Sequence, residues 1–145
     1  GSSFFMYTSK VKEEDLLDAK TLSYCPMIFQ EQILKQRELR IVFVDGNFFV
    51  GALNASQYAA STTDWRCIDD NNLGWEAFQL PEKLASRINL FMKKFGLLFG
   101  AFDFIQTPSG EYFFLEVNPT GEWGMLERDL ELPISKAIAN TLLKK

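Results

Sequence analysis

The chain has 145 residues, a formal net charge of −4, fourteen Phe and no His. Nearly half of it is apolar, enough for the core of one domain, and no block of Lys and Arg marks it for nucleic acid. Without His, a Ser-His-Asp or Cys-His nucleophile system, a His general base and His-ligated zinc are all excluded within this chain.

Cys25 and Cys67 are far apart and form no Cys-x-x-Cys pair. They read as small core residues in a reducing compartment, so a cytoplasmic protein is expected. No apolar run is long enough to cross a bilayer and no signal-peptide pattern is present, so no membrane partner is expected. Gly1-Ser2-Ser3 reads as a cloning remnant, and the lack of an initial Met suggests an excised piece of a longer protein.

Taken in order, Phe4–Thr8 reads as a short strand. Lys12–Leu22 reads as a helix, with Glu13, Glu14 and Asp15 in the first turn, where the macrodipole favours acids, and Leu16, Leu17 and Leu22 as its buried side. Cys25-Pro26 breaks the chain, and Met27–Ile33 follows as an extended segment or strand. Glu38–Val44 and Asn47–Leu53 are strands joined at Asp45-Gly46, a strong hairpin signal. Asn54–Asp64 is small and polar, a loop expected to be mobile. Trp65–Ile68 is a short strand, Asp69–Gly74 a loop and Trp75–Leu80 a strand.

Glu82–Phe95 is the clearest helix, with Leu84, Ile88, Phe91, Met92 and Phe95 on one face and Pro81 and Gly96 at its ends. Glu122–Asp129 is irregular or a helical turn, and Pro133–Leu143 is the last helix. The fold class is α+β: an antiparallel sheet with helices packed on one face and the other face left for a ligand.

Between these lies Gly100–Gly121, two strands about the turn Pro108-Ser109-Gly110. If Thr107 faces Tyr112, then Asp103 faces Glu116, and Asn118 shares their side. Phe102, Phe104, Phe113, Leu115 and Val117 then point the other way. Two carboxylates and an amide oxygen on one face make a hard-oxygen set of the kind that Mg²⁺ uses. A pairing shifted by one residue would separate them. On spacing alone a solvated face is the simpler reading.

The sequence Phe113-Phe114-Leu115-Glu116-Val117-Asn118-Pro119, with Gly121 and the upstream Asp103, resembles the metal-binding signature of the ATP-grasp superfamily. Asp64-Trp65-Arg66, Leu80-Pro81, Thr107-Pro108-x-Gly110-Glu111-Tyr112, Leu132-Pro133-Ile134 and Trp123 resemble one branch of it, the graspetide or microviridin-type ligases that crosslink ribosomally made peptides. The resemblance implies ATP and Mg²⁺ as cofactors, with Asp103, Glu116 and Asn118 as metal ligands. It implies that Gln30, Glu31 and Ile33 line the adenine, that Arg40 binds phosphate from the strand face, and that Arg66 stabilises the transferred phosphate or an acyl-phosphate. For Arg40 a solvated ion pair, and for Trp123 core packing, stand beside these roles.

By the same resemblance, residues 4–24 are the tail of the central ATP-grasp subdomain and 25–145 the C-terminal subdomain. The N-terminal and remaining central regions of the enzyme would precede residue 1, and this piece alone would not catalyse ligation. The implied activity is an ATP-dependent carboxylate–amine or carboxylate–alcohol ligase acting through an acyl-phosphate on a precursor peptide. A ligase for another acceptor, such as one adding glutamate to a protein or joining small amino acids, and a non-catalytic nucleotide- or peptide-binding module of the same fold are the alternatives.

Overall fold

A computed structural model describes residues 8–17, 23–24, 26–55 and 74–144. The chain divides into two compact units, residues 1–34 with 58–73, and residues 35–57 with 74–145. Among the described residues no helix is long and apolar enough to cross a membrane.

The second unit is built on a five-stranded antiparallel sheet. In chain order its strands are β1 (Arg37–Val44), β2 (Asn47–Asn54), β3 (Glu76–Ala77), β4 (Phe99–Gln106) and β5 (Tyr112–Asn118). They lie side by side as β3-β2-β1-β4-β5. Its helices are α1 (Glu82–Phe95), α2 (Gly124–Leu130) and α3 (Ile134–Leu143). The β1–β2 hairpin turns at Asp45-Gly46, as expected, with φ of 45° and 89°, the two left-handed residues that a two-residue hairpin needs.

Side chains alternate along each strand, so the sheet has two faces. Leu39, Ile41, Phe43, Val50, Ala52, Phe102 and Phe104 share one, and Ile88 and Met92 of α1 pack on it. The opposite face is covered at its β1–β2 end by α2. A side chain at Gly51 would meet Leu126 Cδ2 at 2.4 Å and Trp75 Cε3 at 2.8 Å, so the missing Cβ is what lets α2 approach. The class is thus the expected one, with a difference in coverage: α1 takes one face and α2 part of the other, because Val42, Val44 and Leu53 make that second face apolar too. α3 begins under a carboxylate of α2. Glu127 accepts from Ser135 Oγ at 2.6 Å and from Ser135 N at 3.3 Å, where the first turn of a helix has free N–H groups.

The β4–β5 register differs from the expected one at the turn. Gln106, not Thr107, faces Tyr112. Thr107 instead closes the loop, donating its N–H to Glu111 O at 2.9 Å. A bulge then follows, with Phe104 opposite Phe114 and Asp103 opposite Glu116, so Leu115 has no opposite number. Phe114 therefore joins the α1 face, with ring centroids 5.5 Å from Phe104 and 6.2 Å from Phe91. Phe113 and Leu115, expected on that face, do not take that place.

Two other expected strands are shorter or unpaired. Trp75–Leu80 contributes only Glu76–Ala77 to the sheet, with one further bond from Phe78 N to Val50 O. In the first unit, Met27–Ile33 has no ladder partner among the described residues. The helix expected over Lys12–Leu22 is, within residues 8–17, the 3-10 turn Glu13–Leu16. Leu16 and Leu17 are 53% and 88% exposed, and a short helix without a packed face is marginal in water. The expected strand Phe4–Thr8 apart from Thr8, the expected strand Trp65–Ile68, most of the loop Asn54–Asp64 and of the loop Asp69–Gly74, and Cys25 and Cys67 lie outside the described residues.

Gly51→Ala is expected to destabilise the chain by roughly 1–3 kcal/mol, the usual cost of overpacking, because the Leu126 and Trp75 side chains it would meet are both buried. Urea denaturation checks this; an unchanged midpoint would show that α2 does not rest on Gly51.

Candidate functional site

The pairings of four strands line up one row on the face opposite α1. Gly51 faces Arg40, Arg40 faces Asp103, and Asp103 faces Glu116. Directly opposed side chains on one face of an antiparallel pair have Cβ atoms about 4.5–5.5 Å apart, so the row is contiguous. It runs from closed to open. Gly51 lies under Leu126 and Trp75, Arg40 is 8% exposed, the Asp103 side chain is 19% exposed, and Glu116 is exposed.

Arg40 is the most constrained member. Its Nη1 donates to both Asp103 oxygens, at 2.8 and 2.9 Å, and its Nη2 donates to Glu122 O at 2.8 Å. Its buried Nε has no partner among the described residues. The guanidinium expected to contact phosphate therefore spends Nη1 on Asp103 and one N–H of Nη2 on Glu122 O. A buried cation needs this, since burial without a partner is costly.

The segment after β5 supplies the third contact by folding back over the sheet. Gly121 N donates to Asn118 O at 3.1 Å, closing a turn over Pro119 and Thr120. Asn118 Oδ1 accepts from Thr120 N at 2.9 Å and from Thr120 Oγ1 at 3.1 Å, which fixes its amide. A Cβ at Gly121 would lie 2.5 Å from Ala101 Cβ and 3.1 Å from Asn118 Cβ, so only Gly fits where the turn presses on β4. Trp123 O then accepts from Leu126 N at 3.0 Å and opens α2.

Asp103, Glu116 and Asn118 thus lie on one face, and Arg40 joins them. No group of three or more His, Cys, Asp or Glu capable of holding a metal occurs among the described residues. The donor set here is two carboxylates and one amide oxygen. It is a hard-oxygen set, incomplete by itself, and it fits Mg²⁺, which keeps waters and relies on substrate phosphates. Asp103 retains acceptor capacity beyond its bonds to Arg40, since a carboxylate has about four lone-pair sites. Asn118 Oδ1 would have to exchange a bond from Thr120.

Gln30, Glu31 and Ile33 belong to the other unit, outside any helix or strand, where Gln30 and Glu31 are exposed and Ile33 is partly exposed. Arg66 lies outside the described residues. The sequence reading passed over Gly51, Glu122 and Leu126. Gly51 in a strand interior carried a signal of close approach; a backbone carbonyl such as that of Glu122 carries none.

No protein-family model matches the chain, and no curated protein matches it. Solved structures do. The macrocyclase MdnC of Microcystis aeruginosa MRC, solved bound with precursor peptide MdnA, is 40% identical with a TM-score of 0.84 over 97% of this chain. A Chryseobacterium gregarium RiPP-associated ATP-grasp ligase, solved in complex with ADP and a leader and core peptide, is 38% identical with a TM-score of 0.85 over 92% of it. The fold is that of the RiPP-associated ATP-grasp ligases. The macrocyclase MdnB of Microcystis aeruginosa MRC is 47% identical with a TM-score of 0.66 over 94% of the chain. The chain spans less than half of each of these proteins, 44%, 41% and 46% of MdnC, the Chryseobacterium ligase and MdnB respectively. On this fold the Arg40–Asp103–Glu116 row lies on the sheet face opposite α1.

Gly121→Ala is expected to cost roughly 1–3 kcal/mol of stability through the contact with Ala101 Cβ. It should also raise amide exchange over 119–123, because Glu122 is pushed off Arg40. Native-state hydrogen exchange reads this, and unaltered protection would mean that the turn is not held by the close approach.

Proposed function

We propose that this chain is part of an ATP-dependent ligase that crosslinks side chains of a ribosomally made precursor peptide, forming an amide or an ester. The observation that carries the reading is the facing pair Asp103 and Glu116, with Asn118 beside them, on the fold of the peptide-modifying ATP-grasp ligases.

In this reading Asp103, Glu116 and Asn118 hold Mg²⁺, Gln30, Glu31 and Ile33 line the adenine, and Arg66 lies against the transferred phosphate. Bound Mg²⁺ supplies neutralisation of charge on the phosphate oxygens. The reaction itself balances simply. A carboxylate oxygen of a peptide Asp or Glu attacks the γ-phosphorus, the bond to the β-phosphate oxygen breaks, and ADP leaves. A Lys amine or a Ser or Thr hydroxyl then attacks the acyl carbon, inorganic phosphate leaves, and the nucleophile loses its proton.

No group of this chain needs to become covalently attached at any step. What the chain contributes is position and fixed charge. Strand pairing sets Asp103 and Glu116 against each other before any ligand arrives, so little reorganisation is required during transfer. Arg66 supplies the positive charge that a leaving or transferred phosphate needs, with a fork that matches its oxygens. The absence of His is consistent with a reaction driven by positioning and electrostatics.

In the natural protein that carries this chain, Glu116→Gln and Asn118→Ala are each expected to lower ADP release with precursor peptide by at least about a hundredfold, the range typical of a lost electrostatic contact. Melting temperature should move little, because both residues are exposed. Turnover within a few fold of the parent in both variants would remove the metal-ligand role.

A further inference from the structure

Asp103 is the candidate metal ligand that already has a cation against it. The Arg40 Nη1 lies 2.8 and 2.9 Å from its two oxygens, while Glu116 has no hydrogen bond or ion pair among the described residues. Arg40 is also fixed. Its Nη2 is held by Glu122 O at 2.8 Å, and the residue is 8% exposed beneath the segment that Gly121 presses onto β4. Of the three charged side chains in the row, two are negative and one is positive.

We propose that Arg40 is a built-in counter-cation for this site. It offsets the charge of Asp103, so that the site holds a divalent cation weakly by itself and takes it together with a triphosphate. The inference rests on the metal-ligand reading of Asp103, Glu116 and Asn118. The physical argument is one of sign. A guanidinium held against both oxygens of a carboxylate repels a divalent cation approaching the same carboxylate, and partial burial leaves that repulsion poorly screened. Because Asp103 keeps free acceptor sites, the metal is disfavoured but not blocked. When the cation arrives with a triphosphate, the incoming complex carries net negative charge, and the same guanidinium attracts it. In this proposal Arg40 acts through Asp103, which it holds by Nη1, and through the field it creates.

The test is a titration with Mn²⁺ as the probe, on the natural protein that carries this chain, with and without a non-hydrolysable ATP analogue. In Arg40→Gln, Mn²⁺ alone is expected to bind at least fivefold more tightly than in the parent, while the ATP analogue at fixed Mn²⁺ binds at least fivefold more weakly. Arg40→Lys keeps the charge and is the variant to rely on if Arg40→Gln does not fold. Its affinity for Mn²⁺ alone should stay within twofold of the parent. A bare Mn²⁺ affinity in folded Arg40→Gln that is unchanged or weaker overturns the proposal, as does a change beyond twofold in Arg40→Lys. A residue that is merely structural would not tighten metal binding when removed. If the parent takes no Mn²⁺ even with the ATP analogue, the metal reading itself falls, and the inference with it; the Glu116→Gln turnover measurement separates that failure from this one.

Discussion

The ion pair of Arg40 with Asp103 is the constraint from which the arrangement of this face follows. A buried guanidinium is costly without partners, and removing one partner of a buried pair commonly costs several kcal/mol. Asp103 meets Nη1 from the neighbouring strand, and Glu122 O meets Nη2 from the segment after β5. For Glu122 to arrive there, the chain must turn back within a few residues of Asn118, and the turn must lie flat on Ala101. Gly121 permits that approach, as Gly51 permits the approach of Leu126 on the other side of Arg40. Two missing Cβ atoms thus close the sheet around one charge.

The row from Gly51 to Glu116 is graded in exposure, and the grading has an electrostatic consequence. A positive charge set in the closed part and negative charges toward the open part produce a field that solvent screens unevenly. An exposed carboxylate next to a partly buried one is a reasonable receptor for an ion that brings its own waters and phosphates. The bulge at Leu115 matters here. Continuing the register of Phe104 opposite Phe114 would place Leu115, not Glu116, opposite Asp103 and turn the acid to the α1 face. Bulges recur where a strand must re-aim a side chain, and this one brings the second carboxylate to the first.

The likeness to the peptide-modifying ATP-grasp ligases fits this picture of a preset polar patch on an apolar sheet. The identities of 38–47% extend over more than nine-tenths of the chain, so they include the framework and not the motif alone. The patch, more than the fold, bears on function, since a fold by itself hosts many chemistries.

Sequence alone determined the local elements whose signals are short-range. Asp45-Gly46 has to be a hairpin because both residues accept left-handed backbone, and Glu82–Phe95 has to be a helix because its apolar residues recur on one face. It also supplied the candidate acids, since Glu116-Val117-Asn118-Pro119 is a contiguous pattern. What it did not carry was the path by which Glu116 reaches Asp103. The expected turn at Thr107 and Tyr112 gives the right partners by a regular ladder, whereas the chain uses Gln106 opposite Tyr112 and then a bulge. Whether a strand bulges is set by packing on both faces, here by Phe114 against Phe91, Phe102 and Phe104, which no local pattern encodes. The occupation of Arg40 was hidden for the same reason. Its partners stand 63 and 82 residues away, one of them a backbone carbonyl, and only the assembled sheet brings them together.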